Sequence, residues 1–554
     1  MFNLKAMNMK KLVITFIGIA LAFSVFSQAE MPVVWEKDLG IKFTRHGTGL
    51  EVNDYSYAAN DKEMVVFSNK DGHIYWEKTF KEIAPNLKKI DELVPFWESE
   101  IVFLFDRKAG KDQIACIELK TGKLLWTTDK YQKVTEDMIV YIPEDDGFAI
   151  SLKNELVYIK ARTGEELWST NKFQGVVGKY YYNSGDNTMV MVNFIPNGIV
   201  AFFTGFKNQI AKINMKTGEV IWENTYIGRA DRKVISRDFV YDLDVDGDKV
   251  ILRLAGIQVY DYNTGASIWS AAFDYTPDVV KAPNGVVRWG VYGTVADPVV
   301  DGDDIYVLDM TDKKNQYVKK YDYHTGKLLW TSKEIKGAKA IPGMTVVDGV
   351  VALQIGGLVE VQYRQKIVTQ YYTIYYDVIK YDNVKPNGIQ AFNASDGSLM
   401  WESERFKKGI TNGISFNGNH IVCSGKALYS IDLKTGNENY EVEVAKGGVG
   451  NAQMILPYGE NTVIVVGEKG LSTFNATDGS LISKSPYKSS APSGQIGDIF
   501  LMKTDKDDFA AYDLSDLSYT QYNARKGAET SLEREDGKYV YVYEKDKVTK
   551  LSTK

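Results

Sequence analysis

Residues 257–269 read IQVYDYNTGASIW, and this stretch decides the fold. An alternating strand ends in the turn Asn263-Thr264-Gly265, and a second strand then carries Trp269. Glycine can adopt the positive φ of a tight turn because it has no Cβ, and Asp, Asn or Thr beside it can hydrogen-bond the local backbone. The stretch therefore predicts a hairpin that places a large aromatic residue four positions after its glycine.

The same phrase recurs along the chain. Seven of the ten tryptophans stand four residues after the glycine of a Thr-Gly or Asp-Gly pair. Two further glycines of this kind, Gly436 and Gly479, lack the tryptophan. An indole at one place in every unit predicts packing between neighbouring sheets. The pairs are Gly72 and Trp76, Gly122 and Trp126, Gly164 and Trp168, Gly218 and Trp222, Gly265 and Trp269, Gly326 and Trp330, and Gly397 and Trp401.

The spacing of these glycines identifies the repeating unit. Successive motif glycines lie 50, 42, 54, 47, 61, 71, 39 and 43 residues apart. Each unit also holds an earlier turn before an apolar strand, as at Asp246-Gly247 and Asp301-Gly302, so it contains about four strands. Four strands in roughly 40–50 residues are typical of a β-propeller blade.

We therefore predict an all-β chain, a β-propeller of four-stranded blades with eight or more blades. Nine glycine motifs and a degenerate copy at 512–516 suggest up to ten or eleven, in one ring or two. The strand around Trp35 resembles the outgoing strand of a repeat without its turn, whereas the strand from Val548 to Leu551 has no strand after it. Pairing the two would remove exposed edges, so the N-terminal strand is predicted to close the last blade.

The amino terminus resembles an export signal. Lys10 and Lys11 precede an apolar run from Leu12 to Phe26, and small residues follow up to Ala29. This pattern predicts a signal peptide over 1–29 and a propeller over 30–554; a retained anchor is the alternative. No later segment has the ~18 apolar residues needed to span a bilayer. The mature chain is expected in the periplasm or outside the cell, with no transmembrane segment after cleavage.

Net charge, cysteines and motifs restrict the classes of partner and of chemistry that the chain can support. The net charge is −6 and the lysines are dispersed, which argues against nucleic acid because such a partner calls for a basic face. Cys116 and Cys423 lie far apart, each inside an apolar strand, and are expected to be buried free thiols. The four histidines show no metal-ligand spacing, and no nucleophile elbow or phosphate-binding glycine loop is present.

One segment resembles the start of a calcium loop. Asp242, Asp244, Asp246 and Asp248 alternate along the chain, as calcium-binding carboxylates do. The twelfth position of such a loop, where a bidentate Glu is required, is Arg253. The same Asp-Gly turn recurs in units without the other aspartates. We therefore favour a solvated hairpin turn and keep calcium binding as the second interpretation.

A tyrosine-rich insertion occupies about 358–385, in the longest gap between motif glycines. An aromatic hairpin is a plausible protein-binding surface, since Tyr is enriched at interface hot spots. The alternative is an extended pair of strands that packs on its own blade. The candidate partner-binding residues are Tyr363, Tyr371, Tyr372, Tyr375 and Tyr376.

The repeated phrase resembles the PQQ-like repeat of the quinoprotein alcohol dehydrogenase-like propellers, A-x-D-x-x-T-G-x-x-x-W. Ala391, Asn393, Gly397 and Trp401 match it closely. The resemblance implies either enzymes that bind pyrroloquinoline quinone with calcium or non-catalytic propellers such as the scaffold subunit of the outer-membrane β-barrel assembly machine. The enzymes usually carry two adjacent cysteines over the quinone, and no such pair exists here.

The sequence therefore favours an exported, non-enzymatic propeller that acts as a protein-binding scaffold or adaptor in the cell envelope and needs no cofactor. The alternative is a quinone-dependent dehydrogenase with a divergent pocket that holds pyrroloquinoline quinone and calcium. No catalytic or cofactor-binding residue can be named from the sequence.

Overall fold

Each copy of the glycine–tryptophan phrase folds as the last hairpin of an antiparallel sheet. The computed structural model describes residues 29–554 except 51, 108–110, 195–205, 228–241, 255, 273–285, 313–314, 336, 369–372, 445–447, 468, 485–488, 505–507, 517 and 534–536. Eleven sheets with a four-stranded core are present among these residues, and we number them blades 1 to 11 along the chain. The prediction of an all-β propeller with eight or more blades is confirmed.

Residues 29–38 and Pro492–Lys554 form one compact unit, which contains the last two blades except residues 489–491 at the start of β40. The short strand β1 runs parallel to β43 of blade 10, and β2 pairs antiparallel with β46, Trp35 lying opposite Lys550. The prediction that the N-terminal strand closes the last blade is therefore confirmed. The strands are β1 (Ala29–Glu30), β2 (Val33–Asp38), β40 (Ser489–Ile496), β41 (Ile499–Thr504), β42 (Phe509–Asp513), β43 (Ser518–Tyr522), β44 (Glu529–Leu532), β45 (Tyr539–Glu544) and β46 (Lys547–Ser552).

Leu39–Ala491 form the second unit, which contains blades 1 to 9. Blades 1 to 5 comprise β3 (Arg45–Thr48), β4 (Tyr55–Ala59), β5 (Glu63–Ser68), β6 (Ile74–Thr79); β7 (Glu92–Phe96), β8 (Ile101–Asp106), β9 (Gln113–Glu118), β10 (Leu124–Thr128); β11 (Ile139–Ile142), β12 (Gly147–Ser151), β13 (Leu156–Lys160), β14 (Glu166–Thr170); β15 (Val176–Asn183), β16 (Thr188–Phe194), β17 (Gln209–Asn214), β18 (Val220–Thr225); and β19 (Asp242–Asp246), β20 (Lys249–Arg253), β21 (Ile257–Asp261), β22 (Ser267–Ala271).

An additional strand, β23 (Val286–Tyr292), follows blade 5. Blades 6 to 9 comprise β24 (Val299–Asp301), β25 (Asp304–Asp309), β26 (Tyr317–Asp322), β27 (Leu328–Thr331); β28 (Gly343–Val347), β29 (Val350–Val368), β30 (Thr373–Asn393), β31 (Leu399–Glu402); β32 (Ile410–Phe416), β33 (Asn419–Ser424), β34 (Ala427–Asp432), β35 (Glu438–Glu443); and β36 (Ala452–Tyr458), β37 (Thr462–Gly467), β38 (Gly470–Asn475), β39 (Leu481–Lys484). Short helices lie at Phe80–Ile83, Glu136–Met138 and Pro143–Asp145.

The tryptophans join consecutive blades. Trp222 of blade 4 lies on Gly265 of blade 5. The φ angle of Gly265 is +70°, and a Cβ on this glycine would lie 2.5 Å from the indole. Trp222 Nε1 also donates to Tyr262 O at 2.9 Å, three residues before that glycine. The predicted packing between sheets is thus confirmed, with a hydrogen bond that the sequence did not reveal. The equivalent bonds are Trp76 to Leu119 O, Trp126 to Ala161 O, Trp168 to Met215 O, Trp330 to Ala394 O and Trp401 to Leu433 O, at 2.7, 3.0, 2.7, 3.1 and 2.9 Å.

A β-bulge accompanies this contact. In blade 4 Trp222 lies opposite Lys212 and Val220 opposite Ile213, so Ile221 is the unpaired extra residue and is exposed. The bulge stands at the same place in ten of the outermost strands described. A bulge bends and twists an edge strand, which hinders pairing with another chain. Each of these ten blades therefore protects its own outer edge.

The hydrophobic core is divided among the blade interfaces. Phe103 of β8 and Phe148 of β12, for example, are fully buried between blades 2 and 3, with ring centroids 4.6 Å apart. Cys116 of β9 belongs to the same cluster, and Cys423 of β33 packs between blades 8 and 9; both are free thiols, as predicted. Because consecutive blades within each unit bury their faces against one another, the stability of each unit depends on its series of interfaces.

Candidate functional site

The tyrosine-rich insertion forms the outer half of the blade 7 hairpin. In the inner half, β29 and β30 pair from Val350 opposite Asn393 to Ile355 opposite Gly388. The register shifts at Gly356, where φ is +67° and a Cβ would lie 1.9 Å from Pro386 O, so only glycine fits. Beyond this shift the two strands continue to the hairpin end. We call the outer halves of β29 and β30, from 357 to 384, together with β23, the blade 7 extension.

Strand β23 reaches the extension from a distant part of the chain. It leaves the segment between blades 5 and 6 and pairs with β29, Tyr292 lying opposite Glu360. The segments before and after blade 6 then run side by side, since Ala296 N donates to Ile341 O at 2.7 Å and Ile341 N donates to Thr294 O at 2.8 Å. Both connections of blade 6 therefore anchor the base of the extension.

One face of the extension has its own small core. Val291 of β23, Val359 and Val361 of β29 and Val384 of β30 are buried together with Ala340. Each is at most 4 % exposed. The extension is therefore a packed three-stranded sheet, and its opposite face is available for another role.

The opposite face carries a cleft, which we call the Glu360 cleft. Tyr292, Glu360 and Tyr381 lie directly opposite one another on three adjacent strands. Directly opposed residues in antiparallel strands share a face. Gly293, Pro342, Leu358 and Gln362 complete the lining of a space of ≈ 440 Å³.

The polar groups of the Glu360 cleft are connected. Tyr381 Oη donates to Glu360 Oε2 at 3.0 Å, and Gln362 Nε2 donates to Glu360 Oε1 at 2.6 Å. Partial burial, and then the hydrogen bond to Glu360, raise the pKa of Tyr381, so the phenol remains a donor at neutral pH. Tyr381 is nevertheless 62 % exposed, and its ring is open to a ligand.

The structure describes only part of the predicted tyrosine set. Tyr363, Tyr375 and Tyr376 lie in the paired strands, but their side chains, and Tyr371 and Tyr372 entirely, are outside the described residues. Tyr292 and Tyr381 were not among the sequence candidates. Tyr381 lies in the predicted insertion, but nothing in the sequence predicts that Tyr292 joins it, because the pairing of β23 with β29 is long-range.

The aspartates of the calcium candidate lie in a hairpin between the first two strands of blade 5. Leu243 faces the core, while Asp244 and Asp246 are exposed on the alternate positions of β19. Asp242 Oδ2 lies 4.0 Å from Arg253 Nη1, and Asp248 follows in the turn. Within the described ranges, no three His, Cys, Asp or Glu side chains are grouped so as to hold a metal ion. Two of these carboxylates thus face solvent and one is directed toward an arginine, and the solvated turn stays a prediction.

The cysteines do not fit the quinone pocket of the related enzymes. Cys116 lies in blade 2 and Cys423 in blade 8, so they cannot form the adjacent pair that covers the cofactor. Burial raises the pKa of both thiols, that of Cys423 to about 12. Burial therefore favours the neutral thiol at both positions, and no reaction step through the quinone can be derived from these residues.

Comparison with known proteins agrees with this architecture. The repeats define a PQQ-like repeat propeller. The chain belongs to the family described as outer membrane protein assembly factor BamB, whose profile matches residues 24–271, 208–367 and 385–516. No curated protein sequence matches.

Several solved structures are similar over most of their length. BamB from Moraxella catarrhalis shows 14 % identity over 76 % of this chain and 97 % of its own, with a TM-score of 0.30. The computationally designed Ika8 protein shows 11 % identity over 71 % and 97 %, with a TM-score of 0.32. A structure described as the eukaryotic initiation factor shows 10 % identity over 74 % and 94 %, with a TM-score of 0.34.

The helices in the described part of the chain are all too short or too polar to cross a bilayer.

Proposed function

We propose that this chain is an exported, non-enzymatic propeller that binds a protein partner in the cell envelope, and that the blade 7 extension is its binding surface. Family membership supports a protein-binding scaffold, and the N-terminal sequence supports export. The observation that carries the proposal is the extension itself, a packed sheet appended to a complete four-stranded blade. The buried clusters that join blade 7 to blades 6 and 8 draw on the inner halves of β29 and β30 and not on the extension.

The edges of the extension suit an extended partner segment. In the described sheet, β23 pairs only with β29, and the outer half of β30 pairs only with β29. Two strand edges therefore present backbone N–H and C=O groups on either side of the sheet. An extended peptide can add to such an edge by main-chain hydrogen bonds, while neighbouring side chains provide specificity.

A hairpin-trimmed variant tests the proposal. The inner strands, which end at Ile355 and begin again at Gly388, are joined by an Asn-Gly turn that replaces the outer hairpin. The mature protein and the variant are then cross-linked in the native envelope fraction, and the attached proteins are identified by mass spectrometry. We expect one partner to be lost from the variant while its unfolding midpoint stays close to that of the parent.

Retention of every partner by the trimmed variant would contradict the assigned surface. The enzyme alternative is tested separately, by adding pyrroloquinoline quinone with calcium to the mature protein and following dye reduction with alcohols and sugars. Turnover in that assay would contradict the non-enzymatic function.

A further inference from the structure

Building on the proposed function, we propose that the Glu360 cleft binds a single Lys or Arg side chain carried by an extended segment of the partner protein. The ligand is defined by three properties of the cleft: a carboxylate whose partners among the described residues are neutral, two flanking tyrosines and an adjacent open strand edge.

The carboxylate defines the charge of the ligand. Both oxygens of Glu360 accept hydrogen bonds from neutral donors, Gln362 and Tyr381, and no Lys, Arg or His of the described residues forms an ion pair with it. By contrast, Asp382 on the opposite face of the same hairpin pairs with Lys380 at 2.7 Å. The neutral donors fix the position of the Glu360 carboxylate without cancelling its charge. A cation is therefore the electrostatic complement of the described part of the cleft.

The aromatic rings define the shape of that cation. Tyr292 and Tyr381 flank Glu360 on the neighbouring strands. The face of a tyrosine ring attracts an ammonium or guanidinium group, and long basic side chains pack their alkyl stems on apolar surface. Leu358 and Pro342 supply such a surface in the lining. A long basic side chain satisfies all of these groups, whereas a metal ion would leave the apolar lining unused.

The strand edge explains why the cation belongs to an extended chain. Tyr381 lies on the outer half of β30, whose far edge is open among the described strands. A segment that adds to this edge would place one side chain directly opposite Tyr381, on the face of the cleft. A Lys or Arg there can cross the Tyr381 ring and reach Glu360 on the next strand. The expected recognition sequence is one basic residue within a short β-forming stretch.

Labelled peptides test the proposal on the mature full-length chain. The probes are four fluorescein-tagged peptides, Thr-Val-Thr-X-Thr-Val-Thr, with X as Lys, Arg, Met or Glu. We expect the Lys and Arg peptides to bind at least about tenfold more tightly than the other two in fluorescence anisotropy, because only they pair with the carboxylate. Equal binding of all four peptides, or no binding of the Lys peptide at 1 mM or below (roughly the weakest affinity of interest), would overturn it.

Three variants identify the groups responsible. Glu360→Gln should abolish the preference for Lys over Met, and Tyr381→Leu should weaken the Lys peptide about threefold by removing the ring. Glu404→Gln is the matched control, since Glu404 is exposed just after the last strand of the same blade, lies outside the cleft and carries the same charge. An equal loss in Glu404→Gln would mean bulk charge attraction and would refute the site. Glu360-dependent binding of neutral oligosaccharides in place of the Lys peptide would also refute it.

The cross-linking experiment separates the two proposals. If the hairpin-trimmed variant loses its partner but Glu360→Gln keeps it with unchanged affinity, the extension is the binding surface and the cation cleft is wrong. If the trimmed variant keeps its partner, the blade 7 extension is not the binding surface and the proposed function is wrong on this point, whatever the peptides show.

Discussion

The blade junctions that retain tryptophan and those that have lost it form a natural comparison. Trp222 covers Gly265 and donates to a backbone carbonyl of the next blade. After Trp401 the motif position holds Tyr440, whose ring still covers Gly479 and whose hydroxyl donates to Ala476 O at 3.2 Å. The position after that holds Ser483, which bonds Thr473 within its own blade. The common form of the junction thus combines a ring that lies on a bare glycine with a donor at the far end of that ring, and tyrosine supplies both.

A third kind of junction retains the tryptophan without its hydrogen bond. Trp269 lies on Gly326 of blade 6 and stacks on Tyr321, with ring centroids 6.0 Å apart. Its Nε1 is buried and has no acceptor among the described residues. The same indole contact therefore occurs with and without its polar bond, which allows the two contributions to be measured separately.

The largest effect is expected where the tryptophan strand is supplied from the other end of the chain. Deleting residues 30–38 removes β2 with Trp35, its contact with Tyr541 and the ion pair of Glu36 with Lys547 at 2.9 Å. It also exposes the edge of β46. We expect a loss of more than about 5 kcal/mol in the free energy of unfolding, with aggregation, measured by urea denaturation and light scattering.

Val34→Thr serves as the control for this deletion, since Val34 is the exposed bulge residue of β2. It should leave the urea midpoint nearly unchanged. A deletion variant with the parental midpoint would show that β2 does not complete the blade.

Substitutions of Trp222 test the junction directly. Trp222→Ala removes a buried indole and its hydrogen bond, so we expect a loss of about 3–5 kcal/mol in the free energy of unfolding. Trp222→Tyr should lose clearly less, because Tyr440 shows that a phenol can make both contacts. Denaturation of the two variants in urea gives the comparison. Equal losses would mean that tyrosine is not a functional replacement at this position.

Two glycine substitutions separate the energetic cost of disturbing the ring contact from the cost of the left-handed backbone conformation. Gly265 and Gly418 have nearly equal φ angles, +70° and +71°, but only Gly265 has an indole where a Cβ would lie. Each Ala variant should lose about 1–2 kcal/mol for the left-handed conformation. Gly265→Ala should lose a further 1–3 kcal/mol or so because Trp222 must move. The same thermal or urea scan measures the loss of stability in both variants. Equal losses would show that Trp222 moves away from the new Cβ without destabilising the protein.

Substitution of tryptophan by phenylalanine tests the contribution of the indole N–H hydrogen bond. Trp222→Phe leaves Tyr262 O without its donor, whereas Trp269→Phe removes an N–H that had no acceptor among the described residues. Both substitutions exchange the same indole for the same benzyl side chain. We therefore expect Trp222→Phe to be the more destabilising by about 1 kcal/mol in the free energy of unfolding. A larger loss for Trp269→Phe would contradict this assignment.

The sequence predicted much of the fold because the decisive signals are local. Each turn glycine and its tryptophan are only four residues apart. The strand around Trp35 carries the tryptophan but has no Thr-Gly turn before it, and this identified it as an outgoing strand without the rest of its blade. The bulge before each tryptophan left no separate signal, since Ile221 is read from sequence as an ordinary strand residue.

The candidate site was much less predictable. The insertion could be located from its length and tyrosine content, but the Glu360 cleft depends on β23, which crosses from before blade 6 to blade 7. Such a pairing depends on the packing of Val291 with Val361, and no local pattern identifies it. A long-range contact between hydrophobic residues therefore determines which tyrosine lies beside Glu360.

The smallest effect is expected in the turns, where copies of the repeat also differ. Asp261 Oδ1 accepts hydrogen bonds from the Thr264 hydroxyl and the Thr264 backbone N–H, which lower the pKa of Asp261. Asp322 and Asp432 have the same arrangement with the same effect on their pKa values. In blade 4 the equivalent residue is Asn214, which accepts from the backbone and cannot titrate.

The acid response follows from the sign of these shifts. A carboxyl whose pKa is lower in the folded state contributes stability above its unfolded pKa of about 3.9, and this contribution disappears as the pH falls through the folded value. The triple variant Asp261→Asn, Asp322→Asn, Asp432→Asn should match the parent at pH 7, because Asn214 shows that asparagine supports the turn. Below about pH 4 its melting temperature should fall less than that of the parent. Parallel melting curves from pH 7 to pH 3 or so would instead show that these exposed carboxylates contribute nothing beyond what the asparagine turn provides.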